Sequence, residues 1–311
     1  MKNIPELLFR VIRVCTVIVL ISELLSLFGN MDWRFELFEH FRVQYFVSLV
    51  LASVGFMVLK KKKWALVSTI ASVVNIFYFG HLFLPFYSDA NSHMVKFAEI
   101  NVLVSNQNYQ AVEEFIINND PDFVTLLEIS KSWSDNLKVV TKKYPYIKKV
   151  TRSDNFGIMI LSKFDLSKVA EKSAFDVPYY SGTIEVKNKE IFIMAVHPFP
   201  PASGELYKIR NDQFSLFQKT IKDSKSKYKV LMGDLNMTPW CRRYFSFIKG
   251  ATLIDTNKGY GPKFTWPQGL LFPLGIKLDY IFHSKNIETA EFFVGDSVGS
   301  DHLPIFAKIR L

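Results

Sequence analysis

The chain has only two cysteines in 311 residues, Cys15 and Cys241. One lies in an apolar run near the N-terminus and the other deep in the C-terminal region, so they are not expected to pair. That scarcity argues against a disulfide-stapled scaffold and against a thiolate zinc site. Acidic residues are also in short supply: 29 Asp and Glu face 38 Lys and Arg, a net charge of +9. No Ala-x-Ala site follows the first apolar run, which weighs against a removable signal peptide. Internal repeats and low-complexity segments are absent. Two long stretches, Val43–Leu59 and Trp64–Phe86, carry no charge at all.

Those stretches and an earlier one, Val11–Phe28, dominate the N-terminal region. Each is near the ~17–25 residues that cross a bilayer as a helix, and each is apolar on every face. Arg13 and Glu23 interrupt the first; Glu23 is costly in lipid and should face another helix or an interface. Asn75 and His81 in the third run read as helix-packing residues. The expectation is a membrane anchor of three transmembrane helices in residues 1–90 and a catalytic domain in residues 91–311. Lys2, Arg10 and Arg13 flank the first run, and Lys60-Lys61-Lys62-Lys63 separates the second from the third. Between the first two lie only Arg34 and Arg42, offset by Asp32, Glu36 and Glu39. The positive-inside rule then puts the N-terminus and the lysine loop in the cytoplasm and the catalytic domain outside it, periplasmic or extracellular.

Residues 94–311 hold 29 Lys and Arg against 23 Asp and Glu, a net +6 that suits an anionic substrate or an anionic lipid surface. Lys142-Lys143 and Lys148-Lys149-Val150-Thr151-Arg152 form the densest basic patch. Alternating or buried apolar runs predict strands at 95–103, 123–127, 156–161, 182–186, 191–196, 229–232, 278–282 and 305–309. Helical spacing marks Asn108–Asn118 and Leu206–Ile221. Many strands and few helices suggest two stacked sheets with helices outside.

Polar residues recur where these strands end. Asn101 lies in the first, Glu128 closes the second, and His197 follows Phe192–Val196. Asp234 and Asn236 follow Val230-Leu231-Met232, Asp279 sits in Leu278–Phe282, and Asp301-His302 precedes the last strand. If these ends meet on one rim, it carries four carboxylates, two amides and two imidazoles. The carboxylates and amides are hard oxygen donors that suit Mg²⁺ or Mn²⁺. An Asp-His pair adds a group able to take a proton from water near neutral pH.

The order of these segments resembles the endonuclease/exonuclease/phosphatase superfamily (DNase I-like). The likeness runs from Val95 to the C-terminus through the Asn101 strand, Pro121-Asp122…Leu127-Glu128, Gly233-Asp234-Leu235-Asn236, Leu278-Asp279-Tyr280 and Ser300-Asp301-His302-Leu303-Pro304. His197-Pro198-Phe199-Pro200-Pro201, Asn236-Met237-Thr238-Pro239-Trp240 and Thr265-Trp266-Pro267 resemble bacterial members with several membrane spans. The resemblance implies a four-layer α/β sandwich and a metal-dependent phosphoric ester hydrolase. It implies Glu128 as principal metal ligand with Asn101 and Asp301 completing or supporting the site, and His302 as general base oriented by Asp279. It further implies Asp234 and Asn236 positioning nucleophile and phosphate, and His197 donating a proton or hydrogen bond. Nuclease is the first expectation for the substrate. A phospholipase C- or sphingomyelinase-like lipid phosphodiesterase is the alternative, favoured by the apolar loop Gly269–Ile276 just before Asp279, and a phosphomonoesterase is third. The expected partners are the phosphodiester substrate and the lipid bilayer, with no protein partner inferred.

Overall fold

The structure is a computed structural model that describes residues 4–88, 93–269 and 274–311. Its N-terminal part is helical: α1 (Ile4–Ser26), α2 (Trp33–Leu37), α3 (Arg42–Val58) and α4 (Lys62–Phe79). Helices α3 and α4 form a tight hairpin through the lysine loop. Small residues let them approach, with Ser53 Oγ bonding Ala65 O at 3.2 Å and Thr69 Oγ1 at 2.7 Å. Two helical segments, Trp33–Val58 and Lys62–Phe83, are long and apolar enough to cross a membrane, each with a mean hydropathy of 1.6. The span expected at Val11–Phe28 is not among them. Glu6, Arg10, Arg13 and Glu23 are spaced so that any 18-residue stretch of α1 holds at least three charges. As expected, Glu23 faces another helix: the Asn75 amide of α4 donates to its Oε1. The predicted boundary at residues 90 and 91 lies outside the described residues, as do Leu270–Pro273 of the apolar loop.

The remainder forms two six-stranded mixed sheets stacked face to face. The first has the order β11 (Glu288–Val294), β12 (Ile305–Arg310), β1 (Met94–Asn101), β2 (Phe123–Leu127), β4 (Ile158–Ser162), β3 (Tyr146–Val150). The second runs β5 (Val169–Ala174), β6 (Val177–Val186), β7 (Lys189–Ala195), β8 (Tyr228–Asp234), β10 (Asp279–Ser284), β9 (Leu253–Asp255). Period-two alternation sorts the side chains. Val95, Phe97, Phe123, Ile160, Ile193, Val230, Met232 and Ile281 fill the space between the sheets. Ala98, Ile100, Val124 and Leu126 point outward onto α5 (Tyr109–Asn119), α6 (Lys131–Asn136) and α7 (Lys138–Lys143). On the other side Met194, Leu231, Tyr280 and Phe282 meet α8 (Gly204–Asp223) and α9 (Arg242–Ala251). The result is the expected sandwich of helix, sheet, sheet and helix.

The helical part is packed onto the sandwich. Phe79 and Leu82 share a buried cluster with Trp240, Ile276 and Leu278, and Gln44 donates to Gly275 O at 2.6 Å. The described end of the apolar loop therefore packs against α3 and α4.

Candidate active site

Alternation also explains why acids gather between the sheets. On β1, Glu99 and Asn101 continue the inward face of Val95 and Phe97, and on β8 Asp234 continues that of Val230 and Met232. Asp279 opens β10 directly opposite Asp234 in the antiparallel register, while Asn101 pairs with Leu127 in the parallel register, one residue before Glu128. Glu128 and Asn236 have φ of +62° and +49°, so the chain turns sharply as each strand ends and redirects these side chains to the rim. At Gly233, with φ +147°, an added Cβ would lie 1.8 Å from Val196 O; the strand carrying Asp234 passes too close to its neighbour for any side chain. The eight residues singled out above thus converge. Glu128, His197, Asp234, Asn236, Asp301 and His302 line one cavity of about 620 Å³, with Asn101 and Asp279 buried behind them.

His302 Nδ1 lies 3.1 and 2.9 Å from the two Asp279 oxygens, and Asp279 is fully buried. The other ring nitrogen, Nε2, is 3.7 Å from Asp234 Oδ2. The same oxygen is 3.6 Å from His197 Nε2, so one carboxylate bridges two imidazoles. Burial by itself would lower the His302 pKa, but Asp279, Asp234 and Asp301 outweigh it and raise it to about 10. His197 follows the same logic: burial opposes its charge, Asp234 and Glu128 favour it, and the net shift is upward. Asp234 is shifted below its usual range, since the two histidines and the Asn236 N–H overcome its burial. Asn101 uses its amide N–H to bond Glu128 Oε1 at 3.0 Å and Asp234 Oδ2 at 3.3 Å, while its Oδ1 accepts from Leu103 N. Asn236 donates to Pro198 O, and its N–H bonds Asp234 Oδ1.

The donor set fits a hard divalent cation. Glu128, Asp234, Asp279 and Asp301 meet no lysine or arginine in an ion pair among the described residues. One ligand atom each of Asp234, Asp279 and His302 also falls within 4.8 Å of the others. There both Asp279 oxygens face His302 Nδ1, whereas Glu128 and Asp301 present their carboxylates to the cavity.

Sequence reasoning missed several contributors. Glu99 is fully buried beneath Asp234 and Asp279, with neither oxygen hydrogen-bonded among the described residues. Burial and those two carboxylates hold it well above the usual range. Its place in the alternation of β1 was the available signal. Trp266 donates Nε1–H to Asp301 Oδ2 at 3.0 Å, and Thr265 Oγ1 accepts from Leu278 N at 3.0 Å. The predicted basic patch is largely spent on neighbours: Lys143 on Asp120, Lys149 on Ser134, Arg152 on Asp154 and Asp176.

Stacked sheets with histidines and carboxylates at one rim define a hydrolase-like α/β sandwich. A sequence model of the Endonuclease/Exonuclease/phosphatase family matches residues 98–302, and the chain belongs to that family of phosphoric ester hydrolases. Among solved structures, a humanized TDP2 of D. rerio is 14% identical with a TM-score of 0.58, over 71% of this chain and 100% of that one. A family protein from Bacteroides vulgatus gives 17% and 0.58 over the same shares. The human nocturnin catalytic domain gives 16% and 0.55 over 71% of this chain and 95% of that one. Likeness at these identities is one of fold. No curated protein matches the chain in sequence.

Proposed function

We propose that the chain is a membrane-anchored phosphodiesterase that works with a divalent cation, Mg²⁺ or Mn²⁺, held by Glu128 and Asp301 with Asn101 in support. The observation that carries this reading is the pairing of His302 with Asp279 at a rim whose carboxylates, among the described residues, pair with histidines and with no lysine or arginine. A bound divalent cation would polarise the phosphoryl oxygen, stabilise the leaving oxygen and offset the carboxylate field that keeps His302 protonated. His302 Nε2 then takes a proton from water as the new O–P bond forms, and Asp279 stabilises the resulting imidazolium. Asp234, between the two imidazoles, orients that water, and the Asn236 amide holds the phosphate. His197 gives a proton to the leaving oxygen as the old P–O bond breaks.

Anchoring is supported by exposure. Only 28% and 33% of the most apolar 18-residue stretch in each of the two segments is buried, unlike core helices of a water-soluble protein. Since α3 and α4 form a hairpin, the lysine loop and the catalytic domain fall on opposite sides of a bilayer whatever α1 does. The lysines favour the cytoplasm, so the catalytic domain is proposed to be extracytoplasmic. A phosphodiester substrate is supported by the domain's net +6, which suits an anionic group, and by the fold shared with a D. rerio TDP2 structure complexed with single strand DNA product (14% identity, TM-score 0.54).

The test is hydrolysis of bis(para-nitrophenyl) phosphate by the purified full chain with Mg²⁺. Activity in the parent and its loss in His302→Ala and Glu128→Ala are expected; equal activity in all three would sink the assignment.

A further inference from the structure

The cavity has two unlike halves. One is the polar rim. The other is apolar, built from Leu37, Phe199, Pro200, Pro201, Leu206 and Ile276. Leu37 is the notable member, because α2 forms the start of the apolar segment Trp33–Val58, the first of the two long enough to cross a membrane. That segment is fixed to the sandwich. Glu36 pairs with Arg210 at 2.7 Å, Trp240 Nε1 donates to His40 O at 2.8 Å, and His40 Nδ1 is 3.1 Å from Thr238 Oγ1. A wall of the substrate cavity is therefore made by the chain entering the bilayer.

No lysine or arginine among the described residues lines this cavity. Binding a nucleic acid strand calls for basic side chains on successive phosphates, and those of the basic patch are largely engaged elsewhere. One phosphate at the rim beside an apolar lobe suits an amphiphile instead. The apolar half also adjoins His197: Phe156 lies 5.4 Å from its ring and 4.7 Å from that of Phe199, centroid to centroid. His197 thus stands where the polar rim meets the apolar half.

We propose that this lobe is a hydrocarbon-chain subsite and that the substrate is a phospholipid. The proposal rests on the phosphodiesterase reading above and adds the substrate class. Water attacks phosphorus and gives its proton to His302. The P–O bond to the glycerol oxygen of the diacylglycerol part breaks, and that oxygen takes its proton from His197. The products are diacylglycerol and the water-soluble phosphorylated headgroup.

The test uses the full chain reconstituted in vesicles of palmitoyl-oleoyl phosphatidylcholine and phosphatidylglycerol, with Mg²⁺. Three activities are compared: release of phosphorylated headgroup, hydrolysis of bis(para-nitrophenyl) phosphate, and cleavage of a single-stranded oligonucleotide. Headgroup release is expected, and Leu37→Arg and Leu206→Asp should lower it about tenfold more than they lower bis(para-nitrophenyl) phosphate hydrolysis. Equal losses on both esters would overturn the subsite. Hydrolysis of bis(para-nitrophenyl) phosphate with no headgroup release, or with oligonucleotide cleaved in its place, would overturn the lipid substrate and leave the phosphodiesterase standing. Failure on all three would remove the phosphodiesterase reading and this one with it.

Discussion

Arg210 Nη1 and Glu36 Oε1 lie 2.7 Å apart in the interior, joining α8 of the sandwich to the short helix α2 at the start of the apolar segment Trp33–Val58. Arg210 is fully buried and Glu36 nearly so. The same guanidinium donates to Asn236 O at 3.2 Å, so the ion pair reaches the loop that carries Asp234 and Asn236. Removing one partner strands the other as a buried charge, which costs about 3–5 kcal/mol, whereas replacing both by apolar groups of similar volume is far milder. Glu36→Ala should lower the Tm of the detergent-solubilised protein by on the order of 10 °C. The double variant Glu36→Leu/Arg210→Met should recover most of that loss. Thermal unfolding of the three proteins decides it, and an unchanged Tm in Glu36→Ala would refute a stabilising pair.

The two site residues with distinct proposed roles should fail in distinct ways. His302→Ala removes the proton acceptor and is expected to lower kcat by about 10²–10⁴-fold at saturating Mg²⁺. Glu128→Ala should instead shift the Mg²⁺ concentration for half-maximal activity upward, with partial recovery at high metal. EDTA should abolish the parent's activity and added Mg²⁺ restore it. Metal titrations of bis(para-nitrophenyl) phosphate hydrolysis separate these outcomes; identical metal profiles in the two variants would contradict the assignment.

Acid should destabilise the sandwich through His283. This ring is fully buried on β10, with Nδ1 2.9 Å from Ser284 O and Nε2 3.0 Å from Thr289 Oγ1. Burial lowers its pKa to about 4, slightly offset by the Ser284 carbonyl and Asp255. The unfolded chain binds the proton near pH 6.5, so it holds more protons than the folded chain between that value and about 4. Stability from the neutral ring is complete above pH 6.5 and is lost as pH falls through this window, by about 3 kcal/mol in all. His283→Asn should flatten that part of the profile. Chemical denaturation from pH 7.5 to 4 measures it, and parallel profiles for variant and parent would show that the ring does not carry the effect.

The proposed topology can be tested with reporters on either side of the α3–α4 hairpin. Alkaline phosphatase fused after Leu311 should be active and a green fluorescent reporter at the same place dark. A cysteine at position 61 should resist an impermeant thiol reagent applied to intact cells. The reverse pattern would place the site in the cytoplasm.

Most of the sandwich is legible in the order of residues, because a strand of period two shows its inner face directly. The runs at 95–103, 123–127, 191–196, 229–232, 278–282 and 305–309 all appear as strands with small boundary shifts. Strands β3, β5 and β11 escaped because their burial is partial and their alternation is broken by lysine and glutamate. Helix α1 looked like a span by its apolar run, yet its charges are spread so that no long uncharged stretch remains inside the helix.

The site divides in the same way. That carboxylates, amides and histidines end successive strands is a property of the chain alone, since each strand's period and length set which residue reaches its end. That Asp234 stands between two imidazoles, that Trp266 holds Asp301, and that Leu37 and Glu36 of α2 close the cavity and grip Arg210 were decided by tertiary packing. These contacts join residues 35 to 174 positions apart, across elements whose meeting depends on how sheets stack and helices dock. Local pattern carries no record of that distance; the packing of apolar faces does.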